Sequence, residues 1–311
     1  MEEIEEGQDV EVVIDFKPFK ELDLQSFYQD LSSMGTSIQL GEGDGMYRMH
    51  IHVEETKQNL PHEYISQIGL WTKEARENLK AQMPSFTLAE VHPGQIAVVV
   101  VSPGDGISRI FASLGAAGVI EGGNSMNPST EQILKAFENL PTDNIVILPN
   151  NQNIILTANT AKTLSVKNVA VIPSKNIPQG LSAILRINPD GEFDKIVEEM
   201  NEALSEVECA EITVATRSVE LNGVTVEEGK IIGLLNDQLV VASSSVQDAC
   251  LQVLEKAETQ NRERIILLYG NNISREEVDQ ISAAIQATYP NHEIEVHSGG
   301  QPHYQFIMSI E

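Results

Sequence analysis

Apolar and polar residues in the second part of the chain follow an alternation of strand-like and helix-like segments. Residues 96–101 form a continuous apolar run, which is typical of a strand buried on both faces. Shorter strand-like runs follow, and segments with helical spacing separate them; the runs are 118–120, 144–149 and 168–173, and the helical segments 105–115, 129–138 and 151–164. This order predicts a parallel sheet of βαβ units over about residues 91–190.

The pattern changes after a helical segment at 193–207. Residues 211–220 alternate with period two, and Asn222-Gly223 is a hairpin turn signal. The remaining predicted elements are strands at 230–234, 238–242, 264–269, 292–297 and 304–310, with helices at 244–257 and 274–288. Residues 191–311 are therefore predicted to form a mixed or antiparallel α+β half.

The first ninety residues have the pattern of a small α+β domain. Strand-like segments lie at 10–16, 36–40 and 46–53, a hairpin turn at 41–45, and helical segments at 24–34 and 61–70. The stretch around 82–86 reads as a linker, so we place a domain boundary near residue 90. The predicted fold class is α/β and α+β, with domains at 1–90 and 91–311.

Charge narrows the range of partners. Asp and Glu number 46 against 20 Lys and Arg, which gives a formal net charge of -26. Such a surface repels phosphate backbones and anionic lipids, so we expect no nucleic-acid partner. No stretch approaches the roughly 18 apolar residues of a membrane span. The acidic start differs from a signal peptide, and Cys209 and Cys250 form no CxxC motif, so we expect a cytoplasmic protein.

Two histidines alternate along the strand predicted at 46–53. His50 and His52 share one face, about 7 Å apart, while Met49 and Ile51 point the other way. Two such imidazoles can chelate one ion if a third residue assists. The alternative is a polar strand face that contains two histidines and no metal.

Polar loops follow each predicted parallel strand, where open α/β sheets bind ligands. None completes a dinucleotide-binding or Walker motif. His303, after the paired glycines 299 and 300, is a further candidate, although a histidine beside a turn is usually structural. The candidate ligand- or partner-binding residues are Gly104, Asp105, Asn124, Asn127, Ser129, Asn150, Lys175 and His303. The alternative is that these residues only form turns and helix caps.

Four phrases carry a resemblance to a known family: PGDGISRIFASLGAAGVIEGGNSMNPSTEQILKAF, NIVILPNNQNIILTANTA, VAVIPSKNIPQGLSAIL and EVHSGGQPHYQFIMSIE. Over about residues 91–311 the chain resembles the C-terminal region of the fatty acid kinase catalytic subunit, from the dihydroxyacetone-kinase-like (DAK2-domain) family. The resemblance implies a DegV-like fold and docking of a separate DegV-like fatty-acid-binding protein that carries the acyl group.

Residues 1–90 resemble the middle domain of that family. Its members carry a Gly-Tyr-Cys-Thr-Glu-Phe phrase and a later His-Val-His phrase, whose cysteine and two histidines bind zinc. The matching stretches here are Gly7-Gln8-Asp9-Val10-Glu11-Val12 and His50-Ile51-His52-Val53, so Asp9 stands at the cysteine position. The resemblance implies a zinc site of His50, His52 and Asp9.

Family members begin with a helical kinase-like domain that binds ATP and Mg²⁺, and this chain shows no matching segment. We therefore expect no nucleotide on this chain. The ATP chemistry belongs either to a separate ATP-binding helical kinase subunit or to a missing segment of a longer chain, and a homodimer stays open. The leading hypothesis is the docking, non-ATP-binding portion of a fatty acid kinase-type system, not catalytic alone. The alternatives are a DegV-like fatty-acid or small-anion binding module, with its crevice near Gly104, Asn124, Asn127 and Ser174, and a metal-dependent hydrolase that uses Asp9, His50 and His52.

Overall fold

The chain divides into two compact units, Met1–Pro84 and Ser85–Glu311. The computed structural model describes residues 10–43, 45–78, 86–123, 126–221 and 224–311. Most of the predicted linker at 82–86 and the predicted turn at Asn222-Gly223 lie outside these residues. No helix in the described ranges is long and apolar enough to cross a membrane.

The N-terminal unit is a four-stranded antiparallel sheet covered on one side by two helices. Its strand order is β2-β3-β1-β4. Alternate residues of β1 are buried in the core with the helices, as are Met49, Ile51 and Val53 of β3, in agreement with the period-two pattern; His52 is buried as well. The elements are β1 (Val10–Pro18), α1 (Leu24–Ser32), β2 (Gly35–Gly43), β3 (Met46–Val53), α2 (Leu60–Ile68) and β4 (Gly69–Asn78).

The helix predicted at 61–70 is too long at its end. Helix α2 ends at Ile68, and Gly69 and Leu70 begin strand β4. Gly69 pairs with Pro18, and a Cβ at this glycine would lie 2.7 Å from the Lys17 carbonyl oxygen. This close approach to β1 selects a strand, because the pairing is long-range and local spacing does not reveal it.

The first half of the C-terminal unit is the predicted parallel sheet. Its strand order is β6-β5-β7-β8, with β5 at its interior. All seven residues of β5 are buried, in agreement with the continuous apolar run. The elements are β5 (Ile96–Ser102), α3 (Asp105–Ser113), β6 (Ala116–Glu121), α4 (Thr130–Glu138), β7 (Asn144–Leu148), α5 (Ile155–Leu164), β8 (Asn168–Val171), α6 (Ile177–Ile184) and α7 (Phe193–Ala203).

The second half is a mixed six-stranded sheet, in the order β13-β12-β9-β16-β14-β15, with its own helices on one face and the parallel half on the other. Among the described strands of this sheet, only β14 and β15 pair in parallel. The elements are β9 (Glu208–Val214), the β10 (Val219–Leu221) and β11 (Val224–Val226) ribbon, β12 (Ile231–Leu235), β13 (Gln238–Ser243), α8 (Val246–Lys256), β14 (Arg264–Tyr269), α9 (Arg275–Thr288), β15 (Glu293–Ser298) and β16 (Tyr304–Ile310). The predicted α/β and α+β fold class is confirmed.

Candidate functional site

A cleft in the C-terminal unit lies where the parallel strands end. Its empty volume is about 750 Å³, open solvent included. The walls come from the loops after β5, β6, β7 and β8, from β9 and β16, and from the turn between β12 and β13. Strand-end loops meet here because parallel strands present their carboxyl ends at the same edge of a sheet. Of the predicted binding residues, Asn150, Lys175 and His303 line this cleft.

Asn150 is a buried residue that joins three strand ends. Its side-chain amide donates to the Val101 carbonyl oxygen at 2.9 Å, and its Oδ1 accepts from the Ser174 hydroxyl at 2.8 Å. Its backbone is left-handed, with φ 53°, a conformation that asparagine tolerates better than most residues. Asn150 therefore fixes the floor of the cleft, and its amide is already occupied by protein partners.

Gly104 and Asp105 form the start of helix α3, outside the cleft lining. A Cβ on Gly104 would lie 2.7 Å from the Gly299 carbonyl oxygen, and one on Gly106 would lie 1.8 Å from that of Ser298. The Ile107 amide donates to the Gly299 carbonyl oxygen at 3.0 Å. These glycines let the helix start contact the segment before β16.

Of the other predicted binding residues, one caps a helix and one is exposed outside the cleft lining. Ser129 caps helix α4: its hydroxyl accepts from the Gln132 amide at 3.2 Å, and Gln132 Oε1 accepts from the Ser129 amide at 2.8 Å. Asn127 is exposed beside the cleft and does not line it. Asn124 lies outside the described residues.

Lys175 and His303 stand at the rim of the cleft, both exposed. The Lys175 ammonium lowers the pKa of Asp237, against the larger opposing effect of desolvation. His303 has a left-handed backbone, φ 69°, and its carbonyl oxygen accepts from the Thr213 hydroxyl at 2.8 Å. The predicted rim therefore holds one lysine ammonium and one imidazole.

Sequence reasoning missed the two carboxyl groups that dominate the cleft. Glu211, on β9, is 9% exposed, and Asp237 lies in the turn between β12 and β13. Desolvation, followed by the charge of Asp237, raises the pKa of Glu211 to about 7. Desolvation also raises the pKa of Asp237. The sequence signal for this site was one acid in the apolar run Cys209-Ala210-Glu211-Ile212, a pattern that marks a buried charge.

In the N-terminal unit, His50 and His52 lie on the face of the sheet opposite the helices. Their ring centroids are 4.9 Å apart. His50 Nε2 is buried and has no hydrogen-bond partner in the described ranges, although Glu11 Oε1 lies 3.4 Å away. Two adjacent imidazoles can share a metal ion only if a third ligand assists. No three His, Cys, Asp or Glu side chains among residues with described positions form a metal-binding group, and Asp9 lies outside those positions.

The chain is similar to proteins of one known family. The family model for the FakA-like C-terminal region of fatty acid kinase matches residues 97–311. Protein YloV of Bacillus subtilis (strain 168) is 35% identical over 100% of this chain and 58% of its own length. An uncharacterized protein of Staphylococcus aureus (strain USA300) is 31% identical over the same shares. The chain thus spans 58% of the length of these curated relatives.

Solved structures agree with the DegV-like fold that the resemblance implies. DegV family protein Cg2579 from Corynebacterium glutamicum has a TM-score of 0.52 and 15% identity, over 69% of this chain and 95% of its own. A DegV family protein from Thermus thermophilus has a TM-score of 0.50 and 14% identity, over 70% and 99%. Because the family match covers most of the chain and the fold agrees with it, the chain belongs to the FakA-like C-terminal family of fatty acid kinase.

Proposed function

We propose that this chain is the docking, non-ATP-binding portion of a fatty acid kinase-type system. Its partner is a DegV-like fatty-acid-binding protein that carries the acyl group, and a helical kinase part supplies the ATP chemistry. The family match over residues 97–311 supports this assignment. The DegV family protein from Thermus thermophilus binds fatty acid. It has the DegV-like fold that we expect of the partner.

The charge of the cleft favours docking over direct binding of a fatty acid. Glu121, Glu211 and Asp237 face a cleft in which Lys175 is the single lysine or arginine of the described lining. A fatty-acid carboxylate placed here would add a like charge, and like charges in a desolvated site repel strongly. The acyl group is therefore better held by the partner.

The observation that carries the proposal is an exposed apolar surface on helix α5. Leu156 is 77% exposed, Leu164 64%, and Val166, just beyond the helix, 102%. Ala158 and Ala161 form the buried side of the same helix. Leu156 and Leu164 are eight residues apart, which places them about 80° apart around the helix. We take these three exposed apolar side chains of helix α5 and its end as the docking surface.

Placing negative charge on this surface tests the docking. We expect Leu156→Glu combined with Leu164→Glu to raise the Kd for a DegV-like fatty-acid-binding protein from the same genome at least tenfold, because burying a new carboxylate is costly. Biolayer interferometry with the oleate-loaded partner measures it. Leu185→Glu is the matched control, since Leu185 is 56% exposed at the end of helix α6, on the other side of the parallel sheet.

An equal loss with Leu185→Glu, or no complex with the unaltered chain, contradicts the proposed docking surface. Saturable binding of oleate by this chain alone would instead favour the fatty-acid-binding alternative. Circular dichroism of each variant shows that the helix still forms.

We also propose that the N-terminal unit binds zinc through His50 and His52, with Asp9 as the third ligand. His50 Nε2 is buried without a hydrogen-bond partner in the described ranges and lies 3.4 Å from Glu11 Oε1; this and the 4.9 Å ring separation support the two imidazoles as ligands. Aspartate is a harder ligand than the cysteine of other family members and suits zinc less well. Bound zinc would hold β1 and β3 together, since their register places His52 opposite Glu11.

Elemental analysis tests the zinc site. We expect about one zinc per chain, and His50→Ala should remove it. Asp9→Cys should tighten zinc binding, because thiolate is the softer ligand. His297→Ala, an exposed histidine of the C-terminal unit, should leave the zinc content unchanged. Zinc-free protein from zinc-supplemented growth would rule the site out.

A further inference from the structure

Glu211 is the one carboxyl group of the described cleft lining that is buried. Strand alternation places it on the same side of β9 as Cys209, towards the parallel half. In the sheet it is paired with Leu234 on one side and Ile307 on the other. Among the described residues no hydrogen bond or ion pair is found to its carboxyl group, and its side chain lines the cleft.

The charged groups around Glu211 do not neutralise it. Asp237, from the β12–β13 turn, raises its pKa, and Glu121 faces the same cleft from the end of β6. Lys175 stands at the rim of the cleft, after β8. Among the described residues it forms no ion pair with Glu211 or Asp237. The other titratable groups are His303 and Tyr304 at the start of β16, and Cys209, whose pKa burial raises. The described lining thus carries three acids against one lysine.

An unpaired buried carboxylate is costly, and a bound cation removes most of that cost. Burial, a raised pKa and a cleft together mark a functional site more often than a structural one. A positively charged ligand is the class of ligand that all three acids attract.

The walls of the cleft decide between a metal ion and an organic cation. Ca²⁺ takes six to eight oxygen ligands, and no three acidic, His or Cys side chains of the described ranges are arranged to hold a metal. Apolar side chains surround the acids instead: Val101, Pro103, Met126, Ile177, Pro302 and Ile307 line the same space. An apolar stem with a charged end fits these walls.

We propose that this cleft binds an organic cation, a primary ammonium or guanidinium group on an aliphatic stem, whose charged end contacts Glu211 and Asp237. The chemistry is shared by free alkylamines and by a lysine or arginine side chain of a bound protein. No residue of helix α5, and not Val166, belongs to the described lining of this cleft.

The test is a titration of the full chain, labelled with ¹⁵N, with n-butylammonium at about pH 8.5, where both Glu211 and the amine are charged. We expect saturable NMR shifts at the cleft residues, and an affinity at least tenfold lower in Glu211→Gln. Lowering the pH to about 5.5 should weaken binding to the unaltered chain at least tenfold, because Glu211 is then protonated. Glu220→Gln, an exposed acid on β10, is the control with the same charge change.

Four results would overturn the proposal: no saturable shift, equal affinity in Glu211→Gln, equal binding of neutral n-butanol, or a response to Mg²⁺ that exceeds the response to the amine. Unfolding of each variant is followed separately by circular dichroism. A Glu211→Gln chain that is folded but no longer binds the amine supports the site.

A second arm identifies the source of the cation and rests on the proposed function. If Glu211→Gln also weakens the complex with the DegV-like partner, the cation is a basic side chain of that partner. If the complex is unchanged while amine binding is lost, the ligand is a free alkylamine. Failure to form any complex would refute the docking proposal and leave the amine result standing.

Discussion

Glu211→Gln should make the C-terminal unit less sensitive to pH. The pKa of Glu211 rises from 4.5 to about 7 in the folded protein. Between these values the folded state holds a proton that the unfolded state has lost, so the stability of the wild type falls as the pH rises. The contribution of Glu211 to stability is full below about pH 4.5 and is lower by ~3 kcal/mol above about pH 7. The glutamine variant, with no proton to lose, should keep most of that free energy.

Urea unfolding at a series of pH values measures this difference. Trp71 is the one tryptophan and lies in the N-terminal unit, so its fluorescence follows that unit alone. Circular dichroism follows the helices, most of which lie in the C-terminal unit. Glu220→Gln should retain the wild-type pH dependence. If the Glu211→Gln profile matches that of the wild type, the buried carboxyl group does not ionise as described.

Gly106→Ala should destabilise the C-terminal unit by ~3 kcal/mol, a typical upper value for overpacking. The new Cβ would lie 1.8 Å from the Ser298 carbonyl oxygen. This neighbour is backbone, so no side-chain rotation relieves the overlap, and helix α3 must move away from the segment before β16. Urea unfolding followed by circular dichroism measures the loss.

Ser113→Ala, an exposed change at the other end of helix α3, is the matched control and should alter stability by less than about 1 kcal/mol. Similar unfolding curves for the two variants would show that the α3 start has room to shift. The tryptophan signal of the N-terminal unit should be the same in both.

Much of the fold could be predicted because local patterns carried it. The continuous apolar run of β5 and the helical spacings after it gave the parallel half, and period-two alternation gave β1 and β3. Helix α6 was missed, since a proline and Gly180 weaken its local signal. A Cβ on Gly180 would lie 2.0 Å from Asn150 Oδ1. The close contact with the loop that contains Asn150 therefore requires this glycine, and the helix itself does not.

The site was harder to predict because distant strands assemble it. Glu211 and Asp237 meet through the β9–β12 pairing and the turn that follows, which the intervening sequence does not reveal. Ser129 and Asn150 were predicted as binding residues because they are polar. In the structure Ser129 caps a helix, and Asn150 forms hydrogen bonds that join strand ends. The residue type alone does not distinguish a polar side chain that caps a helix from one that binds a ligand.

The position of β16 between β9 and β14 has a consequence for biosynthesis. Ile310 pairs with Glu208, about a hundred positions earlier in the sequence. The central strands of the six-stranded sheet therefore pair only after the last strand has been synthesised. Until residues 304–310 leave the ribosome, β9 and β14 each present an unpaired edge beside apolar side chains. Such edges are templates for intermolecular pairing, and long loops close slowly. A nascent chain stalled before Tyr304 should therefore depend on chaperones more than the finished protein does.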